Sequence, residues 1–435
     1  MSKQTILRFV RDRSGNVTLA FALFMVPIFY VSGLGFDYMH AADQQAKLNA
    51  LADAAALAAV TPAMMAEPDA KSIAAAQNTF NSQATLMQGI VYNPSANLVV
   101  TVTDQGVKRT VTVSYTASSQ TSFGGLVGAS TIALSGSSQA VTQIPPNVDF
   151  YLLLDNSPSM AIAATTDGIN TMVANTQPQG GCAFACHESN PQADNLQNKN
   201  PKGKVDNTID NYQLARNLGV TLRIDQLASA TQNLMTTAQN TMTSTNATYR
   251  TGIFTFNNTF ATVQALTSNL GTAQTAAGGI GVLEVYKNNW ITSTTSNSDE
   301  DTDFDNAMSS VNGIMPNPGS GVSGDSPQEV LFLVTDGVED ANVKGSRQQS
   351  VVDTSWCSIV KNRGIRIAVI YTTYLPLPTN SWYNTYIAPF QSEIGPTLQS
   401  CASPGLYFEV NTNQDISAAM SALFVQALQS AYLSK

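Results

Sequence analysis

The sequence predicts an α/β protein: a doubly wound, mostly parallel sheet covered by helices on both faces, preceded by one transmembrane helix and a small α+β region. Three observations carry this. Residues 17–36 form an uncharged apolar run. Between Leu98 and Tyr115 branched apolar and polar residues alternate with period two, the signature of a half-buried hairpin. From Val148 onward, short continuous apolar runs alternate with helical patterns, the order that produces parallel strands with crossover helices. The expected organisation is a basic tail (1–16), a span (17–36), an Ala-rich helical extension (37–62), the α+β region (63–145) and the sheet domain (146–435).

At 435 residues the chain is long enough for two or three folded units, and its 43% hydrophobic content supports a sizeable core. Charged residues make up only 12% and the formal net charge is -9. That balance argues against nucleic acid as a partner, because a phosphate backbone demands clustered Lys and Arg.

At the amino terminus Lys3, Arg8, Arg11 and Arg13 surround the single acid Asp12, and the run from Val17 to Phe36 follows. Its length suits one helix across a hydrocarbon core of roughly 30 Å and exceeds the h-region of a cleaved signal peptide. The positive flank predicts a cytoplasmic amino terminus, with everything after Asp37 on the far side. Pro27 is expected to kink the helix without ending it. From Met39 to Val60 the chain is rich in Ala and Leu without Gly or Pro, so the helix should continue. Leu48, Leu51, Ala55 and Leu57 give it a narrow apolar stripe, open either to a partner helix or to the chain's own next domain. This opening, from Arg11-Asp12-Arg13-Ser14-Gly15-Asn16-Val17 through Asp37-Tyr38 and the Ala-rich helix, resembles the amino terminus of TadG-like proteins of the tight-adherence (Flp) pilus machinery. In the related small pseudopilins a Glu stands five residues after the Gly at which the leader is cut. Ala20 occupies that place after Gly15, which favours an uncut anchor in the bacterial inner membrane, with the bulk of the chain periplasmic.

Pro62 and Pro68 bracket a break, and Asp69 to Leu86 reads as a second helix. Leu98 to Thr103, a turn at Asp104-Gln105-Gly106, and Thr110 to Tyr115 form the hairpin. Ser130 to Thr142 adds one or two strands. No catalytic constellation appears here, and a spacer or assembly surface is the expectation.

The sheet domain opens on Val148-Asp149-Phe150-Tyr151-Leu152-Leu153-Leu154-Asp155-Asn156-Ser157-Pro158-Ser159-Met160. An apolar strand ends in Asp155, Ser157 and Ser159, one carboxylate and two hydroxyls at alternate positions. Hard cations such as Mg²⁺ and Mn²⁺ take oxygen donors of this kind. Open α/β sheets bind ligands at the carboxyl ends of their strands. Two later motifs join it: Thr302 in Thr302-Asp303-Phe304-Asp305-Asn306-Ala307-Met308, and Asp336 at the end of Glu329-Val330-Leu331-Phe332-Leu333-Val334-Thr335-Asp336-Gly337. Three motifs in this order resemble the metal-ion-dependent adhesion site of von Willebrand factor type A domains, a Rossmann-like fold. The resemblance implies that Ser157, Ser159 and Thr302 ligate Mg²⁺ (or Mn²⁺) directly, that Asp155 and Asp336 act through water or from behind the ligands, and that an acidic residue of a protein partner completes the shell. Coarse elements agree: a helix Leu222 to Met242, strands Tyr249 to Phe256 and Thr259 to Leu266, a helix Arg347 to Asn362 ended by Gly364, strands Ile365 to Tyr371 and Leu406 to Val410, and a closing helix Ile416 to Tyr432.

Two inserts interrupt this pattern. The first, about 161–212, is rich in Gln, Asn, Gly and Pro and reads as a surface loop beside Ser159. It holds Gly181-Cys182-Ala183-Phe184-Ala185-Cys186-His187. Three residues separate its cysteines, where an attached c-type haem has Cys-x-x-Cys-His, and zinc would want further N or S ligands. A local disulfide, with Cys357 and Cys401 as a second pair, is the remaining reading, and four cysteines allow three connectivities. A Cys-rich insert after the metal loop also resembles TadG-like chains. The second insert, Leu283 to Ser298, leads into Asp299-Glu300-Asp301. Asn306 and Asn312 occupy the Gly and Glu places of a calcium loop, so these acids are expected only to add negative potential near the site.

The expected function is a non-enzymatic, membrane-anchored scaffold or adhesion-type protein of a pilus assembly or secretion apparatus, with other pilus-assembly components as partners. The alternatives are a haem or redox protein using Cys182, Cys186 and His187, or a type A domain whose metal site is vestigial. Catalysis is disfavoured: His187 is the sole His away from the membrane-proximal helix, and neither a Gly-x-Ser-x-Gly elbow nor a phosphate loop is present.

Overall fold

The computed structural model describes residues 16–65, 67–288, 299, 302–343, 346–374, 376–377 and 381–430. The basic tail, the tip of the second insert and Glu300-Asp301 lie outside the described residues. Two compact units divide the chain, Met1–Ile144 and Pro145–Lys435.

In the amino-terminal unit, helix α1 runs unbroken from Asn16 to Ala59, through Pro27. At 1.5 Å per residue it is about 66 Å long. Its first half is bare: Val17, Leu19, Leu23, Val26 and Phe29 are each at least 65% exposed. The second half packs, with Leu48, Ala52, Ala55, Ala56 and Ala59 joining Phe80, Val111, Val113 and Tyr115 in one core. The apolar stripe is therefore taken by the chain's own sheet, and only Leu57 of it stays exposed. Helix α2 (Asp69–Ala84) contributes Ala76, Phe80 and Ala84 to the same core.

The hairpin consists of β1 (Leu98–Gln105) and β2 (Lys108–Gln120), in register at Val100↔Val113 and Val102↔Val111. Its turn is Gly106-Val107, not Asp104-Gln105-Gly106. Gly106 has φ 57, and glycine tolerates the positive φ that a two-residue hairpin loop needs. Strand β3 (Thr131–Gln143) is a single strand along the other edge of β2. Arg109, 2% exposed, ties the unit together: it bonds Asp104 (2.7 and 2.6 Å), Asp69 (3.0 Å), Ser72 (2.8 Å) and the Met64 carbonyl (2.6 Å).

The carboxyl-terminal unit is built on a six-stranded sheet. In chain order its elements are β4 (Val148–Asp155), α3 (Thr166–Asn175), α4 (Arg223–Thr245), β5 (Tyr249–Phe256), β6 (Phe260–Thr267), α5 (Phe304–Ile314) and β7 (Gln328–Thr335). There follow β8 (Val338–Val343), β9 (Ser346–Val351), α6 (Ser355–Asn362), β10 (Arg366–Thr372), α7 (Gln391–Cys401), β11 (Tyr407–Val410) and α8 (Ile416–Ser430). The sheet order is β11-β10-β7-β4-β5-β6, parallel except for the edge strand β6. Strand β4 is buried at every position. Phe150, Leu152 and Leu154 enter the core on one face, and Tyr151 and Leu153 the core on the other. This is the covered, doubly wound sheet that alternating strands and helices predict.

Two expectations are corrected. The helix expected from Arg347 to Asn362 is only half helix: β8 and β9 form an antiparallel hairpin first, and α6 starts at Ser355. Arg347 and Gln349 reach across that hairpin to Asp340, at 2.5 and 2.9 Å, so tertiary pairing overrides local helical pattern. The first insert is not a bare surface loop. Ala161, Ala163, Met172 and Ala185 belong to the main core, and Gln179, Asn198 and Asn211 hydrogen-bond one another at 2.8–3.0 Å. A polar composition reads as solvated when in fact its amides satisfy each other.

Candidate metal centre at the switch point of the sheet

Strand β4 is where the strand order reverses: the chain goes from it to β5 on one side and returns to β7 on the other. The register Val334↔Leu154 brings the carboxyl ends of β4 and β7 level. Such a reversal leaves a crevice where no crossover covers the strand ends. Asp155-Ser159 and Asp336 occupy those two ends.

Asp155 is fully buried. Its Oδ1 accepts the Ser157 amide (3.0 Å) and the Ser157 hydroxyl (2.6 Å), and its Oδ2 accepts the Thr335 hydroxyl (2.6 Å). Ser157 Oγ lies 2.9 Å from Ser159 Oγ. Pro158, with its fixed φ, opens a short 3₁₀ turn, Pro158–Ala161, that carries Ser159 over the strand end. Asp336 is 1% exposed; its Oδ1 accepts the Val338 amide at 3.3 Å, and its Oδ2 is buried without a hydrogen-bond partner among the described residues. The glycine after it is obligatory. Gly337 has φ 78, and a Cβ there would sit 2.5 Å from Ile394 Cγ2.

Burial, and then the charge of Asp155, pushes Asp336 up to about 7. Burial likewise raises Asp155, against the hydroxyls that it accepts. Two desolvated carboxylates, one of them raised by the charge of the other, form a site short of positive charge. The guanidinium of Arg223, 5% exposed, is the cation that favours ionised Asp336.

Thr302 is 2% exposed and forms a two-residue antiparallel bridge with Asp340, N–H to carbonyl at 3.0 Å in both directions. Asp303 caps α5 by accepting the Asn306 amide at 2.9 Å, so the Thr lies just ahead of a helix start, as its motif predicts. Asp155, Ser157 and Ser159 are joined by direct contacts, and the level strand ends set Asp336 beside Asp155. Thr302 reaches the same place from another loop, lining with Ser159 a cavity of about 220 Å³.

The insert supplies another wall of that cavity through Cys182, Phe184 and Cys186. Cys182 and Cys186 are free thiols, the first donating to the Phe184 carbonyl at 3.5 Å, so the expected local disulfide is not formed. Cys357 and Cys401 are bonded, joining α6 to α7. His187 Nδ1 donates to Asp210 Oδ2 (2.8 Å), and the ring stacks on Tyr212 and holds a raised pKa because of that carboxylate. Asp299 also lines the cavity but lies 3.5 Å from Arg347, which pairs with Asp340 as well. The Asp299 carboxylate still raises the neighbouring Cys186 and Glu188, the direction expected of added negative potential.

Sequence reasoning missed Thr335, Arg223 and Arg347. Thr335 was visible beside Asp336, but its service to Asp155 depends on strand pairing. Among the described residues no group of three or more His, Cys, Asp or Glu could hold a metal, so any cation here must rely on hydroxyl oxygens. The donor set fits that demand: three hydroxyls and two carboxylates, one of whose oxygens is buried without a partner.

Residues 15–71 match the family model described as "Tad: Putative Flp pilus-assembly TadE/G-like". No curated protein matches the chain. Among solved structures the chain is similar to the vWF domain of the type V pili tip protein Mfa5 from Porphyromonas gingivalis, at 9% identity, covering 67% of this chain and 96% of that one, with a TM-score of 0.35. It is similar to the PilB minor pilin from Streptococcus sanguinis at 10% identity, covering 78% and 80%, with a TM-score of 0.35. Proximal thread matrix protein 1 from the mussel byssus, with a zinc-occupied MIDAS motif, is similar at 10% identity, covering 66% of this chain and 48% of that one, with a TM-score of 0.29.

Proposed function

We propose that this chain, with its TadE/G-like pilus-assembly segment, is a membrane-anchored scaffold or binding protein of a pilus assembly apparatus, engaging a protein partner through a divalent cation. The anchor is residues 17–36. Lys3, Arg8, Arg11 and Arg13 ahead of it favour a cytoplasmic amino terminus and a bulk on the opposite, periplasmic side of the inner membrane. The cation is Mg²⁺ or Mn²⁺, held by Asp155, Ser157, Ser159, Thr302 and Asp336.

One observation carries this reading: at the switch point of the sheet, the connected oxygens of Asp155, Ser157 and Ser159 sit at a strand end level with that of Asp336, whose Oδ2 is buried without a hydrogen-bond partner among the described residues. A bound cation would supply a positive seat for an acidic side chain of the partner. The protein's own contribution is to orient donors. Thr335 and the Ser157 amide hold Asp155, and Gly337 lets the chain turn so that Asp336 stays inside. Binding rather than catalysis suits the site, because Ser157 donates to a carboxylate and no imidazole is within its hydrogen bonds.

Calorimetric titration of the full chain in detergent with Mg²⁺ and Mn²⁺ tests the reading. Wild type should bind one cation and Asp155→Ala should not, with unchanged circular dichroism. Equal binding by both proteins would overturn the site.

A further inference from the structure

We propose that the loop Thr121–Ser130 of the amino-terminal unit is a membrane foot, inserting Phe123 and Leu126 into the lipid headgroup and acyl boundary beside the anchor helix. The proposal rests on the reading of residues 17–36 as a span.

Asp37 is the first charged residue after the apolar run, yet it is only 4% exposed. Its carboxylate is turned onto the loop between β2 and β3, accepting the amides of Ser122 (2.8 Å), Phe123 (2.9 Å) and Gly124 (2.8 Å). One turn back along α1, Gly33 lies flat against the Phe123 ring; a Cβ at Gly33 would fall 2.4 Å from Phe123 Cγ. Four helical residues correspond to about 6 Å. The Phe123 ring therefore packs on the helix about 6 Å deeper than the Asp37 backbone, which matches the roughly 5–10 Å to which interfacial segments bury their apolar side chains.

The loop is also chemically fit for that depth. No Asp, Glu, Lys or Arg occurs from Thr110 to Val148. Backbone polar groups in a lipid boundary must find partners within the protein. Besides the three amides on Asp37, Thr121 N bonds Ser130 O (3.0 Å), Leu126 N bonds Phe123 O (3.1 Å), Gly128 N bonds Gly125 O (3.3 Å) and Ala129 N bonds Gly124 O (3.0 Å). Leu126 is 77% exposed and Phe123 39%, and Leu34 and Phe36 of the helix, close along the chain to the Gly33 that meets the Phe123 ring, are exposed as well. A soluble surface gains nothing from presenting Leu126 on a loop so closed; a lipid boundary buries it.

The test places a photo-crosslinking benzoylphenylalanine at Leu126, at Phe24 within the span, or at Val99 on the exposed face of β1. The full chain is reconstituted in vesicles of phosphatidylethanolamine and phosphatidylglycerol. Lipid adducts, read by mass spectrometry, should form at 126 and 24 and stay at background at 99. Asp37→Ala should lower the adduct at 126 and leave that at 24 unchanged. Adducts at 24 without adducts at 126, or protein adducts in place of lipid at 126, would overturn the foot while the span stands. Absence of lipid adducts at both positions would overturn the span and the foot with it.

Discussion

Glu329→Gln is expected to remove a loss of stability that the sheet domain suffers as pH rises. Glu329 stands opposite Asp149 in the β7–β4 register, both 1% exposed. Only Asp149 is paired directly: Arg250 Nε donates to its Oδ1 at 2.7 Å and Nη2 to its Oδ2, while Glu329 Oε2 has no hydrogen-bond partner among the described residues. Burial, then the Asp149 charge, pushes Glu329 up to about 8 from an ordinary 4.5, against the pull of Arg250 and Arg363. Tyr151 also faces it and is raised by burial and by the same carboxylates. The folded chain thus keeps a proton that the unfolded chain releases near 4.5. Stability is full below that pH and is lost as pH rises to about 8. At 1.36 kcal/mol per tenfold change in proton affinity, the loss is at most about 5 kcal/mol. The amide that replaces the carboxyl carries no charge at any pH. Urea unfolding of the full chain in detergent should give wild type and Glu329→Gln stabilities within about 1 kcal/mol of each other at pH 5, and at pH 9 a variant more stable by about 3–5 kcal/mol. A difference that is the same at both pH values would refute the reasoning, since it would show that charge at Glu329 is not the cause.

Two other perturbations follow from the packing. Reducing Cys357–Cys401, or replacing both by Ser, frees a loop with a sequence separation of 44 and should cost about 4 kcal/mol in chain entropy, measured as a lower unfolding midpoint. An unchanged midpoint would mean that the bond does not constrain the unfolded chain. Arg109→Met leaves the Met64 carbonyl and the Ser72 hydroxyl without this donor and unpairs the more exposed Asp104, so the amino-terminal unit should lose about 1–3 kcal/mol, visible as faster proteolysis of residues 60–144. Proteolysis confined to the other unit would contradict that role.

The site's residue identities were readable from the chain because each motif ends or begins an element whose pattern is local. Val148 to Leu154 is apolar at all but Asp149, so the strand and its terminal Asp155 follow from composition alone. Asp336-Gly337 closes a second such run, and Asp303 announces the start of α5. The apolar helix long enough to cross a membrane is equally local, since twenty uncharged residues need no partner to be recognised. What the chain could not reveal is everything that depends on pairing. Arg347 to Val351 has a helical pattern, but Asp340 on the neighbouring strand draws Arg347 and Gln349 into a hairpin. The amides of the insert look solvated until Gln179, Asn198 and Asn211 meet.

The sequence by itself determined the membrane-length helix, the alternation that makes a covered parallel sheet, and the oxygen-rich identity of the five candidate ligands, because these depend on composition and on periods of two or 3.6 residues. Only the tertiary structure decided that Thr335 would hold Asp155, that the insert would wall the cavity beside Ser159, and that Asp37 would pin the Phe123 loop against the anchor. Thr335 and Asp155 stand 180 positions apart, and Asp37 and Phe123 stand 86 apart. No local pattern encodes which distant partner a buried polar atom will find.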